Sequence, residues 1–484
     1  MMSDLAFRTA GDLAGRIRAG EISSLELTDH FIERIERLDA EINAVVVRDF
    51  ERARAAARDA DRALAGGGPV GPLHGVPMTI KESYDVAGLP TTWGIPAFES
   101  NVAGSDAESV RAYRRAGAVF LGKTNVPENL ADFQTYNDLY GTTGNPWDLD
   151  RTPGGSSGGS AAALAAGLCG LESGSDIGGS IRNPAHYCGV YGHKPTWGIV
   201  PPQGHALPGM VGGPDIAVCG PLARSAGDLA LAMEVLAGPE PLDRRGWRLD
   251  LPRPSRTSLG EFRVALWPTD PVAPVAQEIA DRVAGLGDVL AKLGAKVSDT
   301  ARPSFHPRDA HRTYVQHLNS IMGAGMPDEV FQRMRASADA LDPEDDSDQA
   351  EVLRATVLSH RDWIRADHAR ERLRYAWRGF FDEWDVLICP QMATTAFRHD
   401  HSPFSSRTLA VDGRTRPYFE QLFWSGLVTA SYLPSTVFPT GLSDEGLPIG
   451  LQAVGAEYDD LQTIDFVRLL AREIGGFEVP PGCA

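Results

Sequence analysis

Residues 153–160 read PGGSSGGS, and residues 174–182 read GSDIGGSIR. Small residues dominate the whole stretch 141–220, and a small-residue helix is predicted at 159–168, between the two loops. Residues of this size cannot build a large core alone, but they permit close backbone approach and tightly shaped loops. An isolated GGSSGGS reads as a flexible connector. Here a second serine-bearing glycine loop follows it. Upstream, Lys81 stands in MTIKES (78–83), just past the apolar run 76–80 that predicts a strand. A lysine at the end of a buried strand and two serines on glycine loops are a candidate catalytic set.

Outward from these loops, the chain alternates between strand and helix patterns. Ser23 and Glu26 form a capping-box pattern, opening a helix with Leu25, Phe31, Ile32, Ile35 and Leu38 at helical spacing. A charged helix is predicted at 50–65, so residues 1–70 read as N-terminal helices. Strands are then expected at 76–80, 118–121, 263–267, 296–297 and 386–389. Helices are expected at 109–116, 226–236, 275–293 and 459–474. This alternation predicts an α/β protein with a large, mainly parallel or mixed sheet covered by helices. Residues 238–260 are Pro- and Arg-rich and read as a surface connector. Residues 303–384 look helical and charged, around a solvated acidic loop at 342–348.

The net charge of −18 disfavours non-specific binding to nucleic acid or anionic membranes, which needs a basic surface. No run reaches the roughly 18 apolar residues of a membrane span. The N-terminal residues lack the apolar core of a secretory signal, so a cytoplasmic location is expected. The five cysteines have no CxxC spacing and read as small buried hydrophobes. His399, Asp400 and His401 are adjacent and cannot easily converge on one ion, so no metal is predicted. GAVFLGKT (117–124) matches the phosphate-loop pattern, but its four middle residues read as a strand and Pro127 opposes a following helix. GGSSG (154–158) fits a nucleophile elbow, yet no strand precedes it.

Further motifs occur in order along the chain: HGVPMTIKESYDVAGLPTTWG at 74–94, GKTNVPENLADF at 122–133, GPLARSAGDLALAMEVLAG at 220–238 and LPIGLQAVG at 447–455. Together with the two loops they resemble the amidase-signature family. The resemblance covers about residues 5–240 and 385–475. It implies the amidase-signature fold, a large twisted mixed β-sheet with helices on both faces, in a single domain spanning 1–484. Residues 240–385 match no motif and are expected to be a variable, mainly helical insertion that shapes the pocket.

By motif, the resemblance makes Ser180 the nucleophile, Ser156 a bridging serine in a cis peptide, and Lys81 the base. The backbone N–H groups of Ile177, Gly178, Gly179 and Ser180 would form an oxyanion hole. Ser157, Asp176 and Arg182 would hold the loops. The chemistry is coherent. A serine hydroxyl must lose its proton during attack. A lysine can take that proton only when neutral, and burial favours its neutral form. A hydroxyl between them both accepts and donates.

The implied activity is hydrolysis of a carboxylic amide, extending to esters, anilides or carbamates, through an acyl-enzyme. It needs a small-molecule amide substrate and no cofactor. Homodimers are common in the family, and the N-terminal helices offer a dimer face. Two alternatives remain: a glutaminase-type subunit of a tRNA-dependent amidotransferase, and a non-catalytic binding protein of the same fold. Intact Lys81, Ser156 and Ser180 oppose the second. Residues 311–331 and 418–432 are expected either to wall the pocket or to pack the core. Among them Phe419, Phe423 and Trp424 would suit a hydrophobic or aryl acyl group.

Overall fold

The main sheet is assembled from segments far apart in sequence. In a computed structural model residues 5–484 are described, so the first four residues of the N-terminal helical stretch lie outside it. Eight strands lie in the order Lys296–Ser298, Arg263–Leu266, Val386–Pro390, Pro448–Val454, Ser435–Leu442, Tyr191–Lys194, Val218–Ala223 and Glu172–Asp176. The first three are mutually parallel and all other neighbours pair antiparallel, which makes the sheet mixed.

Two of these placements have little local signal. Ser435–Leu442 and Pro448–Val454 lie at the centre of the sheet although Pro439 stands inside the first, opposite Gly450. Proline is normally confined to edges because it cannot donate to the ladder. Glu172–Asp176 has the sequence ESGSD, with no apolar residue, yet every residue of it is buried. It forms the sheet edge beside Val218–Ala223. Just before it, the Gly170 N–H donates to the Pro77 carbonyl (2.8 Å) and the Thr79 N–H to the Leu171 carbonyl (3.3 Å). This edge therefore abuts a second sheet.

That second sheet has three strands, with Val119–Thr124 in the middle. Val45–Arg48 pairs antiparallel on one side of it. Pro77–Lys81 pairs parallel on the other, with Lys81 opposite Thr124. The phosphate-loop lookalike is thus a paired strand. Lys123 is buried and bonded to the Pro90 carbonyl and to Thr91 Oγ1 (3.0 Å), so no phosphate cradle exists there.

The helices form where the apolar spacing predicts them. Ser24–Ile42 opens on a complete Ser23/Glu26 capping box and buries Leu27, Phe31, Ile32 and Ile35. Phe50–Ala65 and Ala226–Leu236 keep their predicted bounds. The charged region after 303 folds as four helices, Pro307–Ala324, Asp328–Asp339, Asp348–Thr356 and His360–Glu383. One apolar core runs through residues from Ala10 to Cys483. Two smaller clusters lie apart from it. One contains Phe133, Tyr187, Met392 and Tyr418, and the other Ile216, Tyr314, Ala430 and Tyr432; Leu422 packs on both. Among the described residues no helix is long and apolar enough to cross a membrane.

Candidate active site

Lys81 ends its strand fully buried. Its Nζ donates to Ser156 Oγ at 2.7 Å and to Ser175 Oγ at 2.9 Å. Burial pushes this lysine down to about 7, against the opposing pull of Asp176, Cys219 and Glu172. A large fraction is therefore neutral at physiological pH, and a neutral amine can accept a proton.

The first glycine loop holds Ser156 over this amine. The Gly155–Ser156 peptide bond is cis. The Gly155 N–H donates to Asn183 Oδ1 (2.8 Å), and the Gly154 carbonyl accepts from Thr135 Oγ1 (2.8 Å). A Cβ on Gly155 would lie 2.3 Å from the Asp132 carbonyl oxygen, so this close approach requires glycine. Behind it, Asp132 forms a buried ion pair with Arg407 (2.6 Å) and accepts from the Tyr418 hydroxyl (2.7 Å). Ser157 joins the two loops. Its N–H donates to the Ser180 carbonyl (3.1 Å), and its hydroxyl lies 3.4 Å from both the N and the O of Ser175.

The second loop is clamped by Asp176. Its carboxylate accepts from the N–H groups of Gly179 (2.9 Å) and Ile181 (3.1 Å), and from Arg182 Nε (3.0 Å) and Nη2 (2.9 Å). Both side chains of this ion pair are fully buried. Burial alone would raise Asp176, but the Arg182 charge and hydrogen bonds outweigh it and hold the carboxyl at about 2. Arg182 also donates to Thr429 Oγ1 (2.8 Å) and Gln452 Oε1 (3.2 Å), tying the loop to the Leu422–Thr429 helix and to the central strand Pro448–Val454.

This clamp corrects one expectation. Of the four N–H groups assigned to a substrate oxygen, that of Gly179 is already engaged by Asp176. Those of Ile177, Gly178 and Ser180 have no acceptor among the described residues. The Ser180 hydroxyl has no partner there either. Ser180 is 7% exposed, against 0% for Lys81 and 1% for Ser156, so solvent access falls from Ser180 inward.

Several residues at the site carried no signal in the sequence. Ser175 turns toward Lys81 only because 172–176 is a strand. Tyr314, on the Pro307–Ala324 helix of the unmatched region, donates its hydroxyl to the Ile177 carbonyl (3.0 Å). Gln391 donates to Ser425 Oγ (2.9 Å), and both crowd Gly179. Of the two alternatives for Phe423 and Trp424, core packing holds. Trp424 is fully buried, bonds the Ala273 carbonyl through Nε1 (3.1 Å) and meets Trp267 edge-on, as does Phe423. Phe419 stays 40% exposed beside Phe133 and Phe404. His401 stacks on Tyr136 with ring centres 3.8 Å apart, and His399 contacts the Leu149 carbonyl, so their rings serve local packing.

The profile of the family described as Amidase matches residues 26–464. An indoleacetamide hydrolase of Bradyrhizobium diazoefficiens is 33% identical over 96% of this chain and 86% of its own length. A glutamyl-tRNA(Gln) amidotransferase subunit of Moorella thermoacetica is 33% identical over 94% of each. Among solved structures, a bacterial aryl acylamidase of the amidase-signature family superposes with a TM-score of 0.80 at 27% identity, covering 96% of both chains. The fold is therefore that of the amidase-signature enzymes, hydrolases acting on C–N bonds other than peptide bonds. The chain belongs to the amidase family, and its reaction is hydrolysis of carboxylic amides.

Proposed function

We propose that Ser180 attacks the amide carbonyl while Ser156 passes its proton to neutral Lys81. The observation that carries this reading is the buried Lys81 amine, 2.7 Å from Ser156 Oγ, with Ser180 the most accessible of the three residues. The negative oxygen of the tetrahedral adduct is stabilised by the uncommitted N–H groups of Ile177, Gly178 and Ser180, each such donor typically worth about 3–4 kcal/mol of barrier. The protonated relay returns its proton to the leaving nitrogen, since expulsion of an amide anion is prohibitive. Water then takes the place of the amine, and the same relay deprotonates it to release the acid. No step calls for a metal or an organic cofactor.

The helical stretch 240–385 is assigned to shaping the pocket of a single 1–484 unit, a reading supported by the reach of Tyr314 to Ile177. The substrate assigned to it is a small neutral amide with an aryl or other apolar acyl group. Two observations support this: the aromatic cluster of Phe133, Tyr187, Tyr418 and Phe419 on the Asp132 side, and the indoleacetamide hydrolase and aryl acylamidase relatives. The five free buried thiols suit a reducing cytoplasm.

A panel of arylacetamides, anilides, primary aliphatic amides and carbamates, assayed on the purified chain and its Ser180→Ala variant, tests the assignment. Arylacetamides or anilides should be turned over fastest, and by the unsubstituted chain alone. Equal turnover by Ser180→Ala removes the nucleophile assignment. The amidotransferase relative favours a second reading, a glutaminase component of a larger complex. It predicts turnover of glutamine that depends on co-purifying partner proteins.

A further inference from the structure

A cleft of about 390 Å³ opens where the Glu108–Arg115 helix meets the end of the Ala226–Leu236 helix, under the Pro- and Arg-rich connector. It shares no residue with the Lys81 site. Its apolar walls are Ala112, Val235 and Leu236, and Trp247 covers one side while remaining 71% exposed. An exposed indole beside a cavity offers a face on which a ring can stack.

The polar side of the cleft carries three guanidinium groups, Arg115, Arg244 and Arg248, against one carboxylate, Glu108. This reverses the sign of a chain whose net charge is −18. Glu108 is already engaged by Arg111 and by Arg244 (2.8 Å). Arg248 donates to the Arg244 and Trp247 carbonyls (2.7 and 2.8 Å). Arg115 has no hydrogen bond or ion pair among the described residues. Ser109, also lining the cleft, is 3% exposed and its hydroxyl has no partner. A buried hydroxyl left unbonded costs free energy until something satisfies it.

We propose that this cleft is a second ligand site, for an aryl carboxylate. The free planar fork of Arg115 fits a carboxylate in bidentate geometry. The Ser109 hydroxyl supplies a third donor. The aliphatic walls and Trp247 take the ring. The volume lies within the range of small-molecule pockets, roughly 300–1,000 Å³. A bare inorganic anion would leave the apolar walls and the indole unsatisfied.

Calorimetric titration with 1-naphthylacetate tests the proposal, on the parent chain and on Arg115→Ala and Trp247→Ala. Neutral 2-(1-naphthyl)ethanol and inorganic phosphate serve as comparators. The expected result is a saturable binding component that each substitution weakens tenfold or more, while amide turnover stays unchanged and so reports an intact fold. Both comparators should bind at least tenfold more weakly. The proposal is overturned by the absence of saturable binding, by binding that Arg115→Ala leaves unchanged (which locates the ligand in the catalytic pocket), or by phosphate or the alcohol binding as tightly as the acid.

Discussion

Close backbone contact is commoner in the stretch 120–220 than in the stretch 240–385. In the first, backbone lies on backbone. A Cβ built on Gly122, Gly155, Gly159 or Gly220 would stand 2.1, 2.3, 2.4 or 2.4 Å from Val47 O, Asp132 O, Asn125 N or His193 O. In the second, Gly285, Gly325 and Gly379 have nothing within 4 Å of such a Cβ. Gly260 and Gly323 do meet main chain, 2.8 Å from the Leu293 carbonyl and 2.1 Å from the Thr356 carbonyl, and Gly287 meets the Leu266 side chain at 2.5 Å, so the contrast is one of degree. The difference explains which part speaks as a motif. Where main chains touch, the residue type is dictated position by position. Where side chains fill the space between helices, many sequences serve, and the pocket can diverge.

The largest expected effect falls in the first region. Ser180→Ala should lower kcat by about 10⁴-fold or more, by analogy with removal of other serine nucleophiles, with an unchanged far-ultraviolet spectrum and melting temperature. Loss of fold together with activity would make Ser180 a packing residue. Lys81→Arg should cost about 10²–10⁴-fold, the usual worth of general acid–base catalysis, because a guanidinium stays charged.

The pH profile sharpens the same point. Lys81 sits at about 7, so protonation below that value removes the proton acceptor. The expected kcat/KM therefore falls as pH drops through 7, and a flat profile down to pH 5 would contradict a lysine base. The shift also has a stability sign. From about 7 up to lysine's ordinary range, the unfolded chain binds a proton that the folded chain does not, so the Lys81 contribution to stability rises with pH across that window.

Smaller effects test the packing contrast itself. Gly155→Ala should destabilise by about 1–3 kcal/mol, the usual cost of overpacking, read as a lower melting temperature. Tyr314→Phe removes the bond to Ile177 O, worth about 1 kcal/mol, and should lower kcat/KM about fivefold or less without unfolding the chain. Gly379→Ala, inside the His360–Glu383 helix, should stabilise by about 0.5–1 kcal/mol. If Gly155→Ala and Gly379→Ala shift the melting temperature in the same direction, the two regions do not differ as described.

The sequence made legible what local chemistry dictates. Lys81 at the end of its strand and most helices stand where their patterns place them, because caps and apolar spacing act at short range. The strands Glu172–Asp176 and Ser435–Leu442 were illegible. ESGSD carries no apolar residue, and Pro439 argues against a central strand; only tertiary pairing fixes them. With the first of these, the turn of Ser175 toward Lys81 was lost. The engagement of Gly179 by Asp176 also depends on a turn that residue types alone do not specify. Whether Phe423 and Trp424 wall the pocket or pack the core was open in the sequence because aromatic side chains serve walls and cores alike; their contacts with Trp267 decide for the core.

The central claim is that Ser180, and no other hydroxyl of the two loops, carries the acyl group. Peptide mapping by mass spectrometry after reaction with a fluorophosphonate tests it directly. The account predicts one adduct per chain, on Ser180, formed faster as pH rises through 7. An adduct on Ser156, Ser157 or Ser175, or labelling that survives Ser180→Ala, would contradict it.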